Sequence, residues 1–281
     1  MDGHANSALT PDSAPPDDHV IAQGWEAYTA EEHGLWRTLF ERQSKILPGR
    51  ACQQYLDGLE RLGVEADGIP HFERASDTLN KATGWRIVAV AGLVPDDVFF
   101  WHLANRRFPV TNWIRTPAQM DYLQEPDVFH DFFGHVPMLT HPVFADYMQA
   151  YGRGGLKALR LGALNYLARL YWYTVEFGLI RTDGDLRIYG AGIVSSQTES
   201  VYCLEDPTPN RIAFDLLRIM QTNYRIDDLQ DVYFVIDDFE QLFEATRPDF
   251  TPHYQLLKTR ADHTPQAVLD SDTMIPPNPP A

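Results

Sequence analysis

The sequence predicts an α+β fold in which helix predominates, and three observations predict it. Capped, amphipathic segments begin and end at recognisable punctuation. The β-branched runs are few and short. One long segment, residues 158–180, is apolar on nearly every side, as a helix buried at a domain centre would be.

In chain order, Thr29 and Glu32 form a capping box, Trp36, Leu39, Phe40 and Ile46 give an apolar stripe, and Pro48-Gly49 stops the first helix. A second helix is expected from about Ala51 to Gly63. "WRIVAVAGLV" at 85–94, bounded by Gly84 and Pro95, reads as a strand entering a loop. Pro95 followed by Asp96 and Asp97 suits a helix N-terminus. Pro126 starts another helix, "PDVFHDFFG", which Gly134 should end or distort. After the buried helix at 158–180, "TDGD" makes a tight turn into a strand over "LRIYGAGIVSS". Helices near 210–221 and 238–246 flank a last short strand, "VYFVI".

The chain has 281 residues, 44% of them hydrophobic and 12% aromatic, enough for one sizeable core. Residues 10–18 are rich in Pro, Asp and Ser, and the chain closes on "MIPPNPPA". We therefore expect a disordered N-terminal tail over 1–24, a folded domain over 25–258 and a flexible C-terminal tail over 259–281. A net charge of −16 without any Lys/Arg cluster argues against nucleic acid and anionic membrane surfaces as partners, and for small molecules. Cys52 and Cys203 stand far apart in no CxxC pattern, which indicates neither a disulfide framework nor a thiolate zinc site and suits a reducing cytoplasm. No apolar run reaches about 18 residues without a charge, so no membrane span is expected.

Two histidines, His130 and His135, sit five apart among Phe, Val, Met and Leu. A buried imidazole without a partner costs roughly 1–3 kcal/mol, so both rings need backbone groups, carboxylates or a metal. On a regular helix they would lie about 140° apart, but a helix ending at Gly134 can turn His135 back toward His130. Glu176 in "YWYTVEFGLI" is a lone carboxylate among apolar side chains. Two readings stay open: ordinary core histidines with an Arg–Glu pair, or two imidazoles and one carboxylate on one face of an iron(II), leaving cis positions free.

"EPDVFHDFFGHVPML", "ARLYWYTVEFGLI" and "YGAGIVSS", in this order, resemble the core motifs of the pterin-dependent aromatic amino acid hydroxylases, and more closely the single-domain bacterial phenylalanine 4-hydroxylases. The resemblance runs from "LPGRA" at 47 to "FVIDDF" ending at 239. It implies a basket of helices with short strands around a central iron cleft, with tetrahydrobiopterin beside the metal. Carried over position by position, it makes His130, His135 and Glu176 the iron ligands. The loop "VAGLVP", with Gly92, Leu93 and Val94, would cradle the pterin, Phe99 would stack on it, and Ala168 and Tyr171 would lie near it. Asp131 stands where the family usually has a glutamate that reaches the pterin through water. Arg115 in "NWIRTP" would grip the substrate carboxylate, a bidentate task suited to a guanidinium, and Trp172 and Ser195 would complete that pocket. Leu123 replaces a threonine of the animal enzymes, so no hydroxyl is expected there. His102, His141 and His253 match no motif and are expected to be structural.

The function implied is an iron(II)- and tetrahydrobiopterin-dependent monooxygenase that converts L-phenylalanine to L-tyrosine with O2, in a cytoplasmic monomer. Three rivals remain at this point. One is a hydroxylase of another aromatic amino acid such as tryptophan, one a zinc hydrolase using the same three side chains to activate water, and one an aromatic amino acid sensor with a structural metal.

Overall fold

The computed structural model describes residues 9–121, 123 and 125–279. It divides into two compact units, Met1–Glu41 with Asp57–Leu164 and Arg42–Leu56 with Asn165–Ala281. The first helix, α1 (Ala30–Ile46), starts as its capping box requires: the Glu32 carboxylate accepts from the Thr29 backbone and hydroxyl, and Thr29 Oγ1 accepts from Glu32 N. It is followed by α2 (Gln53–Leu62) and by α3 (Phe72–Thr83), which sequence reasoning left unassigned.

The first unit contains a β–α–β element. Strand β1 (Arg86–Val90) pairs in parallel with β2 (Arg107–Thr111), and α4 (Asp96–Ala104) connects them. The strand expected over 85–94 thus ends at Val90, and Ala91 to Val94 form the loop into α4. Helix α4 buries Val98 and every residue from Phe100 to Ala104. It packs on α5 (Pro142–Arg160), where two glycines permit close approach: a Cβ on Gly152 would lie 2.3 Å from Ala104 N, and one on Gly155 would lie 2.0 Å from Phe100 Cδ1. Trp36, Phe40 and Phe72 meet Phe129, Phe133 and Phe132 edge-on or stacked, which forms the aromatic floor beneath the histidine segment.

The expected long helix at 158–180 is broken, and the second unit resumes within it at Asn165. Helix α5 ends at Arg160, α6 runs from Leu164 to Tyr171, a π-helical turn covers Trp172–Glu176, and β3 (Leu179–Thr182) follows. Gly162 takes a positive φ of 59° at the break. Strand β4 (Asp185–Ile188) pairs antiparallel with β3 across Asp183 and Gly184, both at positive φ, so the turn read from "TDGD" forms. The strand expected over "LRIYGAGIVSS" ends at Ile188, because residues 191–194 turn into a short helix, α7 (Ala191–Val194). Helix α8 (Gln197–Glu205) follows. Residues 210–221, expected to be helical, divide into β5 (Asn210–Ala213) and α9 (Leu216–Met220), while β6 (Val232–Ile236), α10 (Phe239–Thr246) and α11 (Thr251–Leu257) close the order. The sheet runs β4-β3-β6-β5, with the wholly buried β6 parallel to both its neighbours.

Both expected tails differ from a free chain where they are described. Ile21 N donates to Ala89 O, the Asp18 carbonyl meets His102 Nε2 at 2.8 Å, and Arg160 donates to Leu9 O. At the other end, Ala213 N donates to Thr273 O and Ile275 N to Arg211 O, while Asp272 forms a buried ion pair with Arg218 and the exposed Asp262 pairs with the buried Arg169. The reason is charge: Arg169 and Arg218 are buried, and the acidic residues of this low-hydrophobicity segment neutralise them. Residues 1–8 and 280–281 of those tails lie outside the described residues.

Replacing Gly152 by Ala should destabilise the protein by about 1–3 kcal/mol, because the new methyl meets backbone. A thermal melt of Gly152→Ala checks this; an unchanged Tm would mean that α5 can move off α4 without cost.

Candidate active site

The histidines lie on a π-helical segment, Phe129–His135, which runs through Gly134 instead of ending there. This corrects the expected geometry. A π-helix bonds i to i+5, so residues five apart fall one turn apart on one face, and no helix end is needed. His130 Nε2 and His135 Nε2 are 3.3 Å apart, with the rings nearly perpendicular at 84°. Two nitrogens bound cis to one metal at about 2.1 Å would stand about 3 Å apart, so the spacing fits a shared divalent ion. His135 is buried against Phe108, and His130 is half-buried.

Among the described residues, His130, Asp131 and His135 offer ligand atoms all within 4.8 Å of one another. One oxygen of Asp131 is committed: Oδ2 accepts from both the backbone N–H and the hydroxyl of Thr111, each at 2.9 Å. Burial pushes the Asp131 carboxyl up to about 7 against the lowering effect of those bonds and of His135. A divalent cation between the histidines would pull it down again.

Asp127 begins the segment and was missed in the sequence. The signal was present, since an aspartate three residues ahead of His130 is a capping position, and its Oδ1 accepts from His130 N at 3.0 Å. The same carboxylate holds Arg115, whose Nε, Nη2 and backbone N–H all donate to it at 2.8–2.9 Å. Arg115 is therefore one half of a buried ion pair, 7% exposed against 0% for Asp127. With Nη1 directed at Met120 O, three of its five side-chain N–H groups are taken among the described residues. Only the remainder is available for a ligand. Burial alone would raise the Asp127 carboxyl, but the hydrogen bonds and charge of Arg115, with the His130 N–H, hold it below the usual range.

Leu93 is 76% exposed on the β1–α4 loop, between half-buried Gly92 and Val94. Phe99 is the half-buried aromatic of an otherwise buried stretch of α4, edge-on to Phe100 at 5.6 Å. An exposed leucine on the loop and a half-buried aromatic on α4 are compatible with contact to a flat heterocycle.

In the second unit, Glu176 closes the π-turn Trp172–Glu176, where Phe177 N donates to Trp172 O. Glu176, Trp172, Tyr171 and Ala168 are all half-buried. "YGAGIVSS" now has a physical reason: a Cβ at Gly190 would lie 2.4 Å from the Glu176 carbonyl oxygen and one at Gly192 3.2 Å from it, so only glycine lets this strand end lie against the carboxylate-bearing turn. The Ser195 hydroxyl donates to Ala191 O, which ties it back onto α7. Among the histidines expected to be structural, His102 meets the Asp18 carbonyl, His141 caps α5 by accepting from Phe144 N, and His253 packs against Phe250.

The family model for biopterin-dependent aromatic amino acid hydroxylases matches residues 24–258. The phenylalanine-4-hydroxylase of Ralstonia nicotianae is 64% identical over 92% of this chain and 82% of its own length. That of Caulobacter vibrioides is 58% identical over 98% of this chain and 93% of its own. A crystal structure of the Chromobacterium violaceum phenylalanine hydroxylase with iron and phenylalanine bound superposes with a TM-score of 0.89 at 58% identity, covering 94% of this chain and 96% of that one.

Replacing Asp127 by Ala should cost about 3–5 kcal/mol, since it leaves the Arg115 charge buried and alone. The sign of the pH dependence follows from the lowered carboxyl: its contribution is full above the unfolded value of about 4 and is lost as pH falls through the lower folded value. Urea melts between neutral and acid pH should show this acid-side loss in the parent and not in Asp127→Asn.

Proposed function

The chain belongs to the biopterin-dependent aromatic amino acid hydroxylases, and from that membership together with the paired histidines we infer its reaction: iron(II)- and tetrahydrobiopterin-dependent conversion of L-phenylalanine to L-tyrosine with O2. The observation that carries the reading within this chain is the 3.3 Å approach of His130 and His135 on a π-turn. Such an arrangement presents two neutral nitrogens to a redox-active divalent metal and leaves the other coordination positions to a carboxylate, water and substrates.

Glu176 is the carboxylate we assign as third ligand. It is the acidic side chain of its turn, and the glycines at 190 and 192 keep that turn closely packed. A second reading has a specific observation behind it, because Asp131 lies within 4.8 Å of both histidine nitrogens. Its Oδ2 is already held twice by Thr111, which favours an outer place for Asp131, oriented toward the pterin through water.

When bound, iron and tetrahydrobiopterin supply the electrons that split O2, one oxygen atom entering the substrate ring as the new hydroxyl. The protein's part is placement. Arg115, held rigid by Asp127, offers its remaining N–H groups to the substrate carboxylate, and Ser195 adds a hydroxyl to that pocket. Trp172 walls the substrate ring. Gly92, Leu93 and Val94 cradle the pterin, Phe99 stacks on it, and Ala168 and Tyr171 lie beside it. The net charge of −16 and the two buried cysteines suit a monomer in the cytoplasm, and sedimentation at the monomer mass of 32.0 kDa tests the first half of that. No helix among the described residues is long and apolar enough to cross a membrane.

Loss of either His130 or Glu176 to Ala should remove most bound iron and nearly all tyrosine formation, whereas Asp131→Ala should retain iron and weaken pterin use. Metal analysis of purified variants decides between the two ligand sets: iron lost from Asp131→Ala and kept by Glu176→Ala would falsify the first. For Phe99→Ala, a stacking loss of about 0.5–1.5 kcal/mol predicts a pterin KM raised about 2- to 10-fold with the phenylalanine KM little changed. Equal changes in both constants would return Phe99 to an ordinary packing role.

A further inference from the structure

Trp172 is held from two sides by one loop, and neither contact belongs to the residues assigned above. Its Nε1–H donates to Gln230 Oε1 at 2.8 Å, and its ring stacks on Tyr224 with centroids 4.4 Å apart and planes 14° from parallel. Both partners come from the connection between α9 and β6. Gln230 is 4% exposed, and its amide is fully used: Nε2 donates to Arg225 O at 3.1 Å and Asp228 O at 3.2 Å, while Oε1 takes the indole. Two carbonyls on one side and an N–H on the other fix which way the amide points, since a flipped amide would face oxygen with oxygen and donor with donor. The Gln230 backbone is anchored in turn, its N–H donating to the buried Glu199 carboxyl, which also accepts from the Tyr233 hydroxyl.

We propose that Gln230 is a positioning residue for substrate selection: by pinning the Trp172 indole, with Tyr224 closing its face, it sets the volume left for the substrate ring and so favours phenyl over indole. This rests on the reading of Trp172 as a wall of the substrate pocket. Trp172 is half-buried, so without Gln230 its N–H can turn to water, and the ring is loosened while the fold is kept. A hydrophobic wall discriminates only modestly per group, so freeing it should relax selectivity more than it lowers turnover.

The test is competition between equal phenylalanine and tryptophan, with tyrosine and hydroxytryptophan resolved by chromatography in the parent, Gln230→Met, Trp172→Phe and the double variant. The product ratio is independent of how much enzyme is folded, so mere destabilisation does not move it. Gln230→Met should shift the ratio toward hydroxytryptophan by about 5- to 10-fold and raise the phenylalanine KM more than it lowers kcat. Added to Trp172→Phe, which has no N–H to lose, the same substitution should shift the ratio less than about 2-fold. If Gln230→Met does not accumulate, Tyr224→Leu removes the stacked face with Gln230 intact and should move the ratio the same way. A ratio changed by Trp172→Phe but not by Gln230→Met or Tyr224→Leu overturns the proposal and leaves the pocket assignment standing. A ratio unchanged in Trp172→Phe overturns the pocket assignment of Trp172 and the proposal with it, and full additivity of the two substitutions also overturns the proposal.

Discussion

One buried carboxylate organises the candidate site of the first unit. Asp127, fully buried, receives four N–H groups: the Arg115 backbone, Nε and Nη2, and the backbone of His130. Its charge therefore both fixes the guanidinium we assign to the substrate carboxylate and caps the segment that carries the histidines. A buried ion pair contributes little net stability against apolar residues of the same shape, yet breaking it is costly. What the pair gives is a fixed relation between two chemical tasks, because the one carboxylate that holds Arg115 is also the cap on His130. The guanidinium also lies over the Phe129 ring at 5.8 Å, so its position is set from a third direction by the same segment.

The residues assigned to pterin in this unit share a comparable economy of support. The β1–α4 loop supplies Gly92, Leu93 and Val94, α4 supplies Phe99, and the last residue of β2, Thr111, grips Asp131. A single β–α–β element thus supplies the loop and the ring that we assign to pterin, and the threonine that holds Asp131. Its rigidity comes from the glycines of α5, which let α4 sink onto that helix, and from the parallel register that places Val90 beside Thr111. A cavity of about 620 Å³ lined by the N-terminal segment, α3 and β1 includes none of the assigned residues.

Much of this was legible in the sequence wherever local chemistry decides the structure. Thr29 and Glu32, Pro95 with its two aspartates, and "TDGD" each announce a cap or turn whose hydrogen bonds close within a few residues. Candidate ligands could be named because lone polar groups in apolar company demand partners. Long-range pairing could not be read. Arg115 resembled a free clamp because nothing in "NWIRTP" reveals that Asp127, 12 residues on, already holds it. The Pro- and Asp-rich C-terminal stretch resembled a tail because its composition conceals that Asp262 and Asp272 answer two buried arginines far upstream. Gln230 and Tyr224 carried no motif at all, and only their convergence on Trp172 gives them meaning.

The two largest misreadings of local structure, at 129–135 and 172–176, have one cause. Both are π-turns, and period-3.6 reasoning cannot see them, since a π-turn inserts one extra residue into a helical repeat. An isolated chain avoids that geometry, so each turn persists only because its surroundings hold it. In the first, Phe129, Phe132 and Phe133 lock into the aromatic floor while His130 is left half-open. In the second, Tyr173, Thr174 and Val175 are buried while Trp172 and Glu176 are left half-open at the two ends. The extra residue is what changes which side chains are left open. In the first turn a regular α-helix would send His135 away from His130 by about 140°, and the wider turn returns it to the same face. A local departure from regular helix, stabilised by packing that is otherwise ordinary core, is thus the means by which an apolar segment presents polar ligands on one side. This is why the sequence rules fail at the places where the chemistry is expected.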